Sequence, residues 1–358
     1  MAGAGGRTRR RVRKLVRKLL RRPLQGVRGP LDRMVLIREL GDRTPDWCTP
    51  LFEPRWVASR DADHVRDDDV VVGYRSESKA WAFPWWIMKN HHVANLTLEG
   101  RPTLIAFCEA CAGAAAYDPM IDGTRYTLRV DGVYNGVIVL TDYETGSWWS
   151  PFTGHSVHGP VKGKRFQRLP VIQCTWIEWK SKYPDTLVLP GEGEDRGGHG
   201  AMHPDPAATV VDGMINSTAL RRDKRLELSD LVVGVNINGA TRAYPLKVVH
   251  RKRGVINDEV AGVPITVLAK PGTWMAVAFD RRTEDGRVMD LDIDGSDLVD
   301  RSTQTRFDFF GRPLDPDGRD SLVFVRSGLE KWSSWSAYHP ESDLFGGPDR
   351  KPVKLRRT

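Results

Sequence analysis

Val70 to Asp118 reads VVVGYRSESKAWAFPWWIMKNHHVANLTLEGRPTLIAFCEACAGAAAYD, and Leu231 to Asp280 reads LVVGVNINGATRAYPLKVVHRKRGVINDEVAGVPITVLAKPGTWMAVAFD. One pattern is written twice. Gly73 aligns with Gly234, and Phe83-Pro84 with Tyr244-Pro245, at an offset of 161. After one inserted residue Asn95 aligns with Asn257, Gly100 with Gly262, Pro102 with Pro264 and Asp118 with Asp280, at an offset of 162. Further on, Trp176-x-x-Trp179-x-x-x-x-Pro184 aligns with Trp332-x-x-Trp335-x-x-x-x-Pro340. Shared glycines and prolines mark shared turns, and shared apolar positions mark a shared core. The fold expected is mainly β (α+β): two related β-rich domains from an internal duplication.

The repeated segments carry β signals. Val70-Val71-Val72-Gly73 and Leu231-Val232-Val233-Gly234 read as buried strand starts, and Asn238-Gly239 is a hairpin turn signal. Helical periodicity is confined to short stretches around Trp85 to His92 and Trp176 to Lys182. The Trp-x-x-Trp pairs share one face of such a turn and are read as core, with an aromatic ligand clamp as the alternative. Domain one is placed at 44–190, a Gly- and charge-rich linker at 191–205, and domain two at 206–345, with a basic tail at 346–358.

The charge is uneven. The 358 residues carry a net charge of +8, yet residues 1–43 hold 14 Lys and Arg against 3 Asp and Glu, so the remainder is slightly acidic. No specific nucleic-acid binding is therefore expected of the body. In RTRRRVRKLVRKLLRR, residues 7–22, Val12, Leu15, Val16, Leu19 and Leu20 fall on one helical face and Pro23 ends the run. Such a basic amphipathic helix suits an anionic membrane surface; contact with RNA or a protein partner, or a solvated tail, are the other readings. The arm lacks the continuous apolar stretch of a secretory signal, and no apolar run in the chain reaches the ~20 residues that span a bilayer. The location expected is cytoplasmic, with association to a membrane through the arm.

The copies differ where chemistry is carried. Copy one ends its apolar hairpin in Cys108-Glu109-Ala110-Cys111, where copy two has Lys270-Pro271-Gly272-Thr273, and His91-His92 stands where copy two has Arg253-Gly254. Two thiols at this spacing form a reversible disulfide or hold zinc or another soft divalent metal. With His91 and His92 upstream they make a ligand set with an open position, and His91 is also the candidate base beside a nucleophilic Cys108 or Cys111. The plainer alternative makes Cys108 a small buried hydrophobe and Cys111 a turn residue. A purely structural need would fall on both copies, which favours function. Four cysteines are too few for a disulfide framework, so free thiols in a reducing compartment are expected. His155 and His158 could bind a metal or a phosphate, although histidines so spaced in a turn-rich loop are more often plain exposed polar residues. Trp148 and Trp149, ringed by Asp142, Glu144, Ser147 and Ser150, resemble an aromatic floor with a polar rim suited to an unknown small-molecule ligand. Nucleotide loops, a nucleophile elbow and a His-Glu-x-x-His zinc helix are absent from the sequence.

Ala243-Tyr244-Pro245-Leu246, Ile256-Asn257-Asp258 and Gly262 to Val267 resemble bacterial proteins of domain-of-unknown-function family 3179. So do Phe107 to Cys111, Asp142 to Ser150 with Gly154 and Gly159-Pro160, and Trp176 to Thr186. The resemblance implies a fold and a candidate site, not a reaction. It places the family's histidine on His91, its asparagine on Asn95 and its cysteines on Cys108 and Cys111. Asn90 and His92 stand where that family has tryptophan and glutamate, Glu109-Ala110 replaces Pro-Leu, and Ala112 replaces a glycine. Asn95 thereby joins the candidate ligand-binding residues.

Overall fold

A computed structural model describes residues 35–36, 49–191, 223–315 and 321–347. The basic arm at 7–22, the linker beyond Gly191 and the basic tail lie outside the described residues. What is described is mainly β, as its patterning predicts.

In the first half, β1 (Val70–Arg75) and β2 (Ala80–Pro84) lead into helix α1 (Trp85–His91). Strands β3 (Val93–Leu98), β4 (Arg101–Cys108) and β5 (Gly113–Asp118) follow as a meander, then the hairpin β6 (Leu128–Tyr134) and β7 (Val137–Asp142). Strand β8 (Val171–Thr175), helix α2 (Trp176–Lys182) and β9 (Leu187–Val188) close the half. Strands β8, β1, β2 and β9 lie side by side in that order, the last pairing parallel to β2.

The second half follows the same course. Strand β10 (Leu231–Ile237), β11 (Ala240–Pro245) and helix α3 (Leu246–Arg251) precede the meander β12 (Val255–Val260), β13 (Val263–Ala269) and β14 (Ala276–Asp280). Strand β15 (Leu291–Asp294) then leads on to β16 (Ser327–Lys331), helix α4 (Trp332–Tyr338) and β17 (Asp343–Leu344). Strands β16, β10, β11 and β17 repeat the first sheet, again with the last strand parallel. Registers agree as well: Gly73 faces Ala82 and Gly234 faces Ala243.

The tryptophan pairs explain the two glycines. Trp179 and Trp335 are buried, and each ring lies over Gly73 or Gly234 so closely that a Cβ there would enter the ring. Each indole N–H is satisfied by an equivalent hydroxyl, Thr186 Oγ1 at 3.0 Å and Ser342 Oγ at 2.8 Å. The Trp-x-x-Trp motifs are therefore core, as read from their spacing. Asn238 and Gly239 both take positive φ, 52° and 93°, in the tight β10–β11 hairpin.

The halves meet through equivalent parts. The β4–β5 turn reaches the start of α4, where the Lys331 N–H donates to the Cys111 carbonyl at 2.8 Å. Reciprocally, the β13–β14 turn reaches α2, where Lys270 Nζ donates to Glu178 Oε1 at 2.8 Å. Gln173 of β8 donates to the Leu329 carbonyl of β16 at 3.2 Å, and Trp274 packs on Trp85 with ring centroids 4.8 Å apart.

Candidate functional site

Cys108 is the last residue of β4 and pairs with Gly113, the first of β5. The four residues between them close the hairpin through two backbone bonds, Cys111 N–H to the Cys108 carbonyl at 3.2 Å and Ala112 N–H to Glu109 at 2.9 Å. Ala112 takes φ 54° to complete the turn, the position where the resembled family has glycine. The cysteine Cα atoms are 5.2 Å apart, within the range a disulfide bridges, and the two sulfurs are bonded. A turn this tight brings the two sulfurs together, the arrangement of an oxidised pair. Both residues are buried, at 0% and 1% exposure, among Trp149, Phe152 and Tyr338. Cys174 is a free buried thiol whose pKa burial pushes well up, which makes it a poor nucleophile.

The histidines take other partners. His91 ends α1 and its Nδ1 lies 2.7 Å from the Thr49 carbonyl. His92 caps that helix at φ 60°, with Nδ1 3.1 Å from the Phe107 carbonyl; burial holds its pKa down at about 4. Among the described residues no three His, Cys, Asp or Glu side chains gather closely enough to hold a metal ion. A soft metal needs thiolates, and the bonded pair offers none in this state.

Asn95 is buried and clamps the backbone of Leu128, donating to its carbonyl at 2.9 Å and accepting from its N–H at 2.8 Å. Its counterpart Asn257 donates to the Leu291 carbonyl at 2.8 Å, so both asparagines tie the meander to a neighbouring strand. Trp149 is wholly buried, stacked on Phe166 at 4.0 Å, with its indole N–H donating to Asp142 at 2.6 Å. His155 is half-buried and its pKa is lowered, first by burial and then by Arg165. His158 is exposed, its ring 4.8 Å from that of Trp148.

A group of polar side chains that carries no motif lies close to the cysteine turn, Arg168 from the first half and Glu330 and His339 from the second. Glu330 lies on β16 at 7% exposure, and a Cβ on Gly113 would stand only 3.2 Å from its Cβ. Burial raises its carboxyl to about 7, against the pull of the Ser334 hydroxyl and Arg168. Its Oε2 has no hydrogen-bond partner. Arg168 donates to the Tyr117 hydroxyl at 3.1 Å and to the Phe152 and Ala114 carbonyls at 2.7 and 3.2 Å. His339 completes this buried polar seam, its pKa held at about 4 by burial and then by His155, Arg165 and Arg168. In copy one Glu330 aligns with Cys174, so comparing the copies side by side was the one signal that could have found it.

The family match extends from residue 45 to residue 342, across both halves. The chain belongs to the family described as protein of unknown function (DUF3179). Its cysteine turn and the seam around Glu330 both lie inside the matched span. No curated protein and no solved structure matches the chain. Among the described residues no helix is long and apolar enough to cross a membrane.

Proposed function

We propose that this DUF3179 protein is an internally duplicated chain whose first half carries a thiol–disulfide couple at Cys108 and Cys111. One observation carries the reading. The second half builds the equivalent turn without cysteines: the Thr273 N–H donates to the Lys270 carbonyl at 3.3 Å, as Cys111 does to Cys108 at 3.2 Å. The Thr273 hydroxyl adds a bond to that carbonyl at 3.1 Å. A disulfide is thus not required to close this turn, which favours a chemical role for the pair. Reduction by a small dithiol converts the disulfide to two thiols while the dithiol becomes a cyclic disulfide, conserving electrons and protons. Burial of both sulfurs favours small reductants over protein thiols. The proton partner proposed for the leaving sulfur is Glu330, supported by its approach to Gly113 and by a carboxyl that burial raises to about 7.

The test is thiol titration with elemental analysis on the full chain, beside Cys108→Ala/Cys111→Ala. Two thiols that appear only after reduction and are missing from the variant support the couple. A stoichiometric metal lost in the variant would replace this reading with a metal site. Two thiols that remain free under oxidant would sink it. The basic arm at residues 7–22 is proposed to hold the protein against an anionic membrane surface, supported by its charge and apolar face.

A further inference from the structure

The second half holds a cavity of about 260 Å³ between α3 and the segment after β17. That is about twenty times the ~10–15 Å³ by which one water is accommodated. Arg225, Lys247 and Arg251 line it, with Asp230 as its one acidic group. Leu226, Leu231, Val248 and Phe345 supply an apolar wall.

The same place in the first half is filled. At the offset of 161, Arg225, Lys247 and Arg251 correspond to His64, Trp86 and Asn90. The correspondence is structural as well as textual. Trp176 N–H donates to the Asp69 carbonyl and Trp332 N–H to the Asp230 carbonyl, each at 2.7 Å. Ile177 N–H to Asp67 and Ser333 N–H to Leu228 are each 3.0 Å. In the first half the His64 ring packs edge-on to Trp86 at 6.2 Å and its Nε2 lies 2.7 Å from the Leu189 carbonyl. A Cβ on Gly191 would come within 3.0 Å of that ring.

In the second half the counterpart of His64 is drawn aside. Arg225 donates to Asp223 at 2.8 Å and to the Ser342 carbonyl at 2.9 Å, with its guanidinium 5.2 Å from the Trp332 ring. Lys247 is exposed and donates to Asp230 at 2.7 Å, and Arg251 is exposed one turn further along α3. Where the first half has an aromatic pair and an amide, the second has three cations around an open space. Arg225 is paired with Asp223 and Lys247 with Asp230, while Arg251 has no ion pair among the described residues.

We propose that this cavity binds a small organic carboxylate, its charged end among Arg225, Lys247 and Arg251 and its apolar body on Leu226, Val248 and Phe345. The excess of cations selects against neutral molecules, and Arg251, whose guanidinium is not spent on an acid as that of Arg225 is on Asp223, presents a fork that matches a carboxylate. The apolar wall selects against inorganic anions, which have nothing to bury there. The site is independent of the cysteine turn.

The experiment is calorimetric titration of the full chain at low salt with hexanoate, hexan-1-ol and inorganic phosphate. Hexanoate is expected to bind at least about tenfold more tightly than either control, a difference of ~1.4 kcal/mol. Lys247→Gln/Arg251→Gln, two exposed positions whose change leaves the core intact, is expected to weaken hexanoate about tenfold while circular dichroism stays unchanged. Equal binding of hexan-1-ol would reduce the site to an apolar hole, and equal binding of phosphate to a charged patch. Either result, absence of hexanoate binding, or an unaffected double variant overturns the proposal.

Discussion

Glu330→Gln is the sharpest test of the seam, because its effect on stability has a pH dependence that packing alone does not produce. The Glu330 carboxyl rises from an ordinary 4.5 to about 7 in the fold, chiefly through burial. The folded state then binds this proton more tightly than the unfolded chain. The group's contribution to stability is fully present below pH 4.5 and is lost as pH rises through about 7. The interval corresponds to on the order of 3 kcal/mol, taking ~1.4 kcal/mol per pH unit. Glutamine does not titrate, so the wild type should lose about that much stability relative to the variant between pH 4.5 and pH 8. His92 and His339, both at about 4, tilt the profile the other way. Their folded pKa values lie below the ordinary 6.5, so their contribution is lost as pH falls from 6.5 through 4. Both are present in either protein and cancel in the difference. A glutamine nitrogen placed where Oε2 lacks a partner adds a cost that does not vary with pH. The assay is urea unfolding of wild type and variant at pH 5, 6, 7 and 8. Curves that stay parallel to within ~0.5 kcal/mol across that range would refute the assignment of a buried, titrating carboxyl at the seam.

Gly73→Ala and Gly234→Ala should each destabilise by about 3 kcal/mol or more, since the new methyl would enter the Trp179 or Trp335 ring. Gly100→Ala, where no atom lies within 4 Å of the added Cβ, is the control and should cost only about 1 kcal/mol for its positive φ; thermal unfolding reads all three. Deleting residues 1–30 should abolish sedimentation of the full chain with phosphatidylserine vesicles, and wild-type binding should fall with added salt. Binding that survives the deletion would remove the membrane role from the arm.

Much of the fold was legible because local signals carried it. The Gly73 and Gly234 matches, the Trp-x-x-Trp pairs and Asn238-Gly239 each have one physical demand, a close approach or a tight turn, and the structure meets each. The site was legible only in part. Cys108-x-x-Cys111 announces a pair through its spacing, and the turn delivers it. His91 and His92 were drawn toward the cysteines by sequence proximity, yet the end of α1 directs both to backbone carbonyls. Trp149 reads from the sequence as the floor of a ligand site, yet it is wholly buried and stacked on Phe166, which makes it core. Glu330 carries no motif, because its chemistry comes from burial across a seam more than 200 residues from the cysteine turn.

The two turns meet the opposite half through different groups. At the Cys108 position the second half has Lys270, whose amine crosses to Glu178 at the start of α2, while that carboxylate also accepts from Thr175 to cap the helix. At the matching place on α4 the residue is Ser334, which turns back to the Lys331 carbonyl at 2.8 Å. The first turn meets α4 through a main-chain bond, the Lys331 N–H donating to the Cys111 carbonyl at 2.8 Å. At the other turn the contact is an ion pair, and a cysteine replacing Lys270 would leave Glu178 without the cation that bridges the halves.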